Sequence, residues 1–316
     1  MQEAMTLERE KFNYTEDYTE DNTENTENTE DTEDTEGVLS KKAMLVTLST
    51  SCWTGRVTDK ITGKEVCENK RADEKAGNFT KAIIEKEHFK PIRSILTEAR
   101  RYHNEITLSW NDNGQRILPS SLYGDYMATM RSLQTDLEQE ISAFEAKYPN
   151  LVNDATYWLG DLFDRDAYPE PNEIKSKFSI EIDIAPIPSS DDFRVQISDQ
   201  EKAKVKQNIA KALKEKHAKA MKRVWERVYV VVEKFHQKMV DEKAVFRNSL
   251  IDNIKSLVDL LPELNLSNDQ ELASMTQSLK ENIYDYDPNE LRKDPEVRKE
   301  AADKTRQILD NLQGLY

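Results

Sequence analysis

The chain has 316 residues, of which 33% are charged and 37% hydrophobic, and it contains 8 Gly, 10 Pro and 2 Cys. Few Gly and Pro, together with many Lys, Glu, Leu and Ala, favour long helices over a turn-rich fold. Two cysteines exclude a disulfide framework and a cysteine-based zinc site. The sequence has no run of about 18 apolar residues and its first residues lack the apolar core of a signal peptide, so we expect a cytoplasmic protein with no membrane-spanning helix.

Most of the formal net charge of −15 lies in an N-terminal leader, residues 1–43, which carries −10. The middle of the leader is a degenerate Asn-Thr-Glu and Asp-Thr-Glu repeat without an apolar face. Such a segment cannot offset its ordering entropy, so we expect it to be disordered. The leader could be a solvating extension, or its carboxylates could bind a partner or imitate nucleic acid. A folded domain is predicted over 44–262 and a helical tail over 263–316.

The first part of that domain is predicted to contain a short strand and then a helix. Residues 45–48 are a β-prone run. From Phe79 to Tyr102, apolar residues recur every three or four positions, which predicts a helix that Pro91 kinks or splits. The run 111–114, Asn-Asp-Asn-Gly, then predicts a turn.

A second apolar stripe, with coiled-coil-like steps of three and four, predicts a helix from about Ser120 to Lys147. Pro149 is expected to end it, and a shorter helix is expected over 151–163. Alternation of apolar and polar residues then predicts a β-hairpin at about 177–197.

The dominant predicted element is a helix that Ser198 or Asp199 caps and that meets no Pro or Gly before Pro262. Its apolar stripe turns polar at 241–243, where we expect a bend or break. A helix this long cannot bury its stripe alone, so we expect the 120–148 helix as its antiparallel partner, and a second copy of the chain as well. The predicted fold is therefore mainly α, an elongated antiparallel helical bundle or coiled-coil hairpin with a small inserted β-hairpin. Shorter helices are predicted in the tail around 269–284 and 295–312, with a break at 285–288.

The sequence contains few candidate residues for catalysis or for metal binding. Acidic clusters at 161–166 and 191–192 could hold a hard cation, but they lack the calcium-loop pattern and are better explained as solvated helix ends. His217 lies in the apolar stripe with Leu213 and Met221 four residues away, so it is interpreted as a core residue and not a ligand. No nucleophile elbow, phosphate loop or dinucleotide fingerprint is present, so we expect no enzyme activity, no cofactor and no metal.

The most distinctive charge feature is basic. Residues 201–247 carry 14 Lys and Arg against 6 Asp and Glu, a net charge of +8. A basic helical face can follow a phosphate backbone, but it could also pair with acidic helices or with the leader, or be a solvated surface. The candidate nucleic-acid contacts are Lys211, Lys214, Lys219, Lys222 and Arg223.

Four stretches occur in the order typical of a family of uncharacterised phage and mobile-element proteins, over roughly 44–265. They are Leu45-Val-Thr-Leu-Ser-Thr-Ser-Cys-Trp53-Thr-Gly-Arg56, Ile117-Leu-Pro119-Ser-Ser-Leu-Tyr123, Tyr148-Pro149 and Asp192-Phe-Arg-Val195. The chain resembles that family, whose members are often encoded beside MoxR-type AAA+ ATPases and proteins with a von Willebrand A domain. The resemblance implies a viral or integrative-element protein of the host cytoplasm, a usual start at Met44, and an adaptor or substrate role with that ATPase system. It carries over no catalytic residue.

The sequence therefore favours a non-enzymatic helical scaffold or adaptor that acts by self-assembly and through protein partners. The alternative is a nucleic-acid-binding protein that uses the lysine-rich helix. Candidate partner contacts are Trp53 and Arg56, in a polar irregular segment, and Phe193 and Arg194, in the hairpin. Trp53 could instead pack against the end of the bundle while Arg56 pairs with an acid.

Overall fold

The structure is a computed structural model that describes residues 39–189, 197–241 and 243–312. Most of the leader, the predicted second strand of the hairpin, and the candidate contacts Phe193 and Arg194 lie outside these residues. The described fold begins before the predicted boundary at Met44, because residues 39–42 form a helical turn in which Leu39 is buried.

The protein is mainly α, with a small antiparallel sheet. The strands are β1 (Ala43–Ser51), β2 (Arg56–Asp59), β3 (Phe79–Ala82), β4 (Leu108–Ser109), β5 (Arg116–Pro119) and β6 (Ser179–Ala185). The helices are α1 (Lys60–Asn69), α2 (Lys90–Ile106), α3 (Tyr123–Leu159), α4 (Asp199–Val240), α5 (Ser249–Leu264), α6 (Gln270–Asn282), α7 (Pro288–Lys293) and α8 (Pro295–Leu312).

The main sheet is larger than the predicted hairpin. Its order is β4-β5-β1-β6, and β6 pairs along its whole length with β1, for example Thr47 opposite Asp183. The strand predicted over 45–48 is confirmed as part of β1, and the turn predicted at 111–114 joins β4 to β5. The first strand of the predicted hairpin is therefore present as β6, but it pairs with the N-terminal strand β1. Pairing between such distant segments cannot be inferred from local alternation.

The helix predicted from Phe79 begins later than expected. Residues 79–82 form β3, which pairs with β2, and α2 starts only at Lys90. Pro91 occupies the first turn of α2, where its missing N–H has no helical partner to lose, so it neither kinks nor splits a helix. A short apolar run at the edge of a helical stripe fits either period, which explains the error.

The prediction that Pro149 ends a helix is also wrong, because α3 runs through it to Leu159. Pro149 is exposed, whereas its neighbours Tyr148 and Val152 are buried at 1% and 5% exposure. Packing on both sides therefore holds the helix together, and water can satisfy the carbonyl that proline leaves without a donor.

The long C-terminal helix breaks where the sequence becomes polar, as predicted. α4 ends at Val240 and α5 begins at Ser249, and Ser198 caps α4 by accepting from the Glu201 N–H. The predicted pairing of the two longest helices is not confirmed. Instead α4 packs mainly against α8, α5 and β4, whereas α3 packs against α2 and β6.

The tail belongs to the same core. The two helices predicted in it are confirmed as α6 and α8, and the break between them contains the short helix α7, capped by Asp287. The boundary drawn at residue 262 falls inside α5, whose buried leucines contact the tail. Helix α8 thus supplies the antiparallel partner that the sequence had placed at 120–148.

Candidate nucleic-acid interface

The first turns of α4 are less buried than the rest of the helix. Along α4 the fully buried side chains begin at Leu213, and in the turns before it Ile209 is partly buried and packs against the core. At about 1.5 Å per residue, the segment 199–208 extends roughly 15 Å beyond Ile209. Its basic side chains are therefore presented on a helix surface that solvent reaches from several sides.

Five exposed lysines lie on the outward side of α4, and together we name them the lysine face: Lys204, Lys211, Lys214, Lys219 and Lys222. None of them forms an ion pair in the part of the chain that the structure describes. Glu215 and Glu226 share this side of the helix but are outnumbered. The lysine face extends about 27 Å along the helix axis at 1.5 Å per residue.

Arg223, the fifth candidate of the sequence analysis, differs from the lysines because it is half-buried. It lies on the flank of α4 that faces the end of α2, near Arg227 and Arg116. Arg227 donates from Nη1 to the Glu105 carbonyl. Arg116, on β5, donates from Nε to the Thr107 hydroxyl at 2.5 Å and from Nη2 to the Thr107 carbonyl at 2.8 Å. Both guanidinium groups thus cover the negative, carbonyl end of α2.

This arginine cluster raises the local positive potential. The pKa of Arg116 lies below its ordinary value, first because the guanidinium is buried and then because Arg223 and Arg227 carry like charges. Burial also lowers the pKa of Arg227, although Glu105 opposes the shift. Arginine remains protonated at neutral pH. The basic surface of α4 therefore continues from the lysine face onto the end of α2.

Trp53 is part of an aromatic cluster in the core. Its indole makes edge contacts with Phe89, Phe144 and Tyr148 at centroid distances of 5.6, 6.5 and 6.2 Å. This packing agrees with the alternative in which Trp53 fills a structural position. The segment is tight as well, because Gly55 has a φ of +63° and a Cβ placed there would lie 2.5 Å from the Phe89 ring.

Arg56 follows on β2 and is exposed, and it forms no ion pair with any residue that the structure describes. It therefore remains a candidate contact, and the alternative in which it pairs with an acid is not found among the described residues. The structure does not bring Arg56 together with the basic residues of α4 into one site.

The other candidates of the sequence have structural explanations. The carboxylate of Asp164 accepts from the Asp166 N–H and caps a short turn, as expected of a helix-end acid. His217 is 9% exposed, and burial lowers its pKa. Within residues 39–189, 197–241 and 243–312, no three His, Cys, Asp or Glu side chains are grouped to hold a metal. The acids at 191–192 lie outside those ranges.

Sequence reasoning missed a buried polar pair beside the arginine cluster. His103 on α2 shares a hydrogen bond of 2.9 Å between its Nδ1 and the Tyr126 hydroxyl on α3. Burial, and then the nearby Arg116, lower the pKa of His103 to about 4. The signal in the sequence was a polar residue at a stripe position, but no local pattern identifies its partner.

Comparison with protein families, curated proteins and solved structures finds no match to this chain. The resemblance to the phage and mobile-element family therefore stays a prediction. None of the helices among the described residues is both long and apolar enough to cross a membrane.

Proposed function

We propose that this protein is a non-enzymatic nucleic-acid-binding protein and that the lysine face of α4 contacts the phosphate backbone. The observation that supports the proposal is a row of exposed lysines, about 27 Å long at 1.5 Å per residue, without ion-pair partners in the described chain. Residues 44–316 carry −5 and residues 201–247 carry +8, so the remainder of the folded part carries −13. Positive charge is thus concentrated on one helix of an acidic protein.

The physical basis is counterion release. A lysine that contacts a phosphate displaces a condensed cation, which favours binding at low salt. The length of the lysine face matches about 8 base pairs of duplex at about 3.4 Å per pair. Lysine is a flexible point charge without the planar fork that reads base edges, so binding is expected to be independent of sequence.

The test is the affinity for a fluorescent 20-base-pair duplex, measured by anisotropy at physiological salt. The test variant replaces Lys211, Lys214, Lys219 and Lys222 with Gln. The control variant removes the same charge from exposed lysines that lie elsewhere: Lys70, Lys75, Lys90 and Lys175. We expect at least about 30-fold weaker binding for the test variant and less than about 3-fold for the control. Equal affinities for the two variants would reject the proposal, provided that circular dichroism shows both to be helical.

A second candidate function is that of a protein adaptor, which the sequence favoured. The observation that favours it is a pair of exposed aromatic side chains near the end of α3, Tyr157 at 88% and Trp158 at 43% exposure. Large exposed aromatic residues are enriched at protein interfaces. Such a surface could serve an AAA+ ATPase, a von Willebrand A-domain protein or a second copy of the chain.

The two functions are separated by capture of tagged protein from host cells with and without nuclease, read by mass spectrometry. A partner that survives nuclease at constant stoichiometry, and that is lost from the double variant Tyr157→Ser and Trp158→Ser, would support the adaptor. Partners that vanish with nuclease would support nucleic-acid binding.

A further inference from the structure

A polar cleft of about 210 Å³ lies between α2 and the turn that joins β4 to β5. Its principal polar lining is Arg100, His103, Asn104, Asn111, Gln115 and Arg116. The residues that line this cleft include two arginines and no carboxylate. The two acids next in sequence to lining residues, Glu105 and Asp112, are not among the lining residues themselves, and Glu105 pairs with Arg101.

A second surface hollow on α2 has a different lining, so arginines without a carboxylate are not a general feature of the surface. That hollow, of about 220 Å³ between α2, α4 and α5, is lined by Arg101 and Arg227 but also by Glu105. There Arg101 forms ion pairs with both Glu98 and Glu105. Arginine on one side of α2 is therefore neutralised within the protein, whereas Arg100 and Arg116 on the other side have no acidic partner in the described chain.

Both guanidinium groups are held in place and yet keep donors for a ligand. Arg116 is anchored through Nε and Nη2 to Thr107 and, at 3.3 Å, to the Asn104 carbonyl, and its Nη1 donates to no described residue. Arg100 donates from Nε to the Thr50 hydroxyl at 2.9 Å, which leaves Nη1 and Nη2 without a described acceptor. Anchored, oriented donors lose little entropy when they bind an anion.

The charge around the cleft favours an anion with more than one negative charge. Arg223 and Arg227 add positive potential at Arg116 from the side of α4. Arginine forks match the oxygen geometry of phosphate and form charge-assisted hydrogen bonds with it.

We propose that the cleft between α2 and the β4–β5 turn binds a phosphate group, with Arg100 and Arg116 as its paired donors. The amide groups of Asn104 and Gln115 are positioned to contact what the phosphate is attached to. This site is distinct from the lysine face, so it goes beyond sequence-independent contact with a backbone. The phosphate could belong to a free nucleotide or to the end of a nucleic-acid strand.

The test uses the full chain and isothermal titration at constant ionic strength, with inorganic phosphate, adenosine monophosphate and adenosine as probes. The matched variants are Arg100→Gln and Arg101→Gln, because these exposed arginines are adjacent on α2 but only Arg100 lines the cleft. Arg116→Lys is a second test variant that retains the charge and removes the fork. Thermal unfolding establishes that each variant is folded.

We expect one site that binds phosphate and adenosine monophosphate but not adenosine. Arg100→Gln and Arg116→Lys should each weaken binding about tenfold or more, and Arg101→Gln less than about twofold. The variant with four lysines of α4 replaced should keep this site even though it loses duplex binding, which separates the two proposals. Tighter binding of a 5′-phosphorylated than of a 5′-hydroxyl oligonucleotide would assign the phosphate to a strand end, and equal binding would assign it to a free nucleotide. Absence of phosphate binding by the unaltered chain, or equal binding by the Arg100 and Arg101 variants, would overturn the proposal.

Discussion

Replacing the buried Arg298 with Met should strongly destabilise the protein. Arg298, on α8, is only 9% exposed and lies at the end of α4. Its Nη2 donates to the carbonyls of Lys238 at 2.6 Å and Ala244 at 3.1 Å, and also to that of Asp241. Its Nε donates to the Met239 carbonyl at 3.3 Å. The guanidinium thus holds the final carbonyls of α4 and the connection to α5 against α8.

The size of the expected loss in the free energy of unfolding follows from the carbonyl groups that lose their donor. A hydrogen bond to a charged donor contributes about 1.5 to 3 kcal/mol, and a cation at a partly buried helix C-terminus contributes up to about 2 kcal/mol. The Arg298 guanidinium lies over the Phe246 ring at 5.6 Å from its centroid, and methionine retains part of this packing. Water can reach some of the carbonyls after the substitution. We therefore expect a loss of about 3 to 5 kcal/mol in the free energy of unfolding. At about 2 °C per kcal/mol for a chain of this size, the Tm should fall by about 6 to 10 °C.

The assay is thermal unfolding followed by calorimetry, with urea unfolding as a second measure. Arg306→Met is the matched control, because Arg306 is exposed on the same helix. It should change the Tm by less than about 1 °C. Arg298→Lys should fall between the two, since it keeps the charge and loses the planar fork. A Tm of Arg298→Met within about 1 °C of the control would refute the reasoning.

Three further predictions concern Gly55, His103 and the leader. Gly55→Ala should lower the free energy of unfolding by about 2 kcal/mol or more in urea, because of its φ of +63° and the contact with Phe89; an unchanged midpoint would contradict this. The pKa of His103 in the folded protein, about 4, lies below its unfolded value of about 6.5, so stability should fall as pH falls from 6.5 towards 4. The loss should reach up to about 3 kcal/mol at pH 4, and His103→Gln should remove this part of the pH dependence; an unaltered dependence in the variant would count against it. Deleting residues 1–38, which carry −12, should tighten duplex binding several-fold at low salt by anisotropy, and weaker binding would be the opposite of the expected result.

Most of the elements that the sequence predicted correctly were helices identified from their periodicity. The stripe of α4 continues over many turns, and its polar interruption at 241–243 marks the break before α5. The tail helices α6 and α8 were placed within a few residues because local signals mark their limits: Asp269 caps the start of α6, and Asp287 caps the short helix α7 in the break between them. These features depend on neighbouring residues alone.

The features of the fold that the sequence did not predict depend on contacts between distant segments. β6 pairs with β1, and no local signal in either strand identifies the other. Pro149 remains helical because the residues on either side are buried by tertiary packing, which overrides its local cost. The arginines that cover the ends of α2 and α4 come from β5, α4 and α8, so their roles appear only once those elements are assembled.

The same limit applies to the candidate site. The lysines of α4 were identified from the sequence, because charge density along one helix is a local property. The cleft between Arg100 and Arg116 was not, since its residues come from a helix and a strand that the sequence analysis did not connect.

The most direct test of the central claim is the salt dependence of duplex binding. For the unaltered chain, five phosphate contacts from the lysine face predict that log K falls against log salt with a slope of about −4.5. Replacing Lys211, Lys214, Lys219 and Lys222 with Gln should reduce that slope by about 3 to 4, because each lost contact removes close to one unit. A slope that stays the same in this variant would show that other residues bind the phosphates, and it would contradict the account.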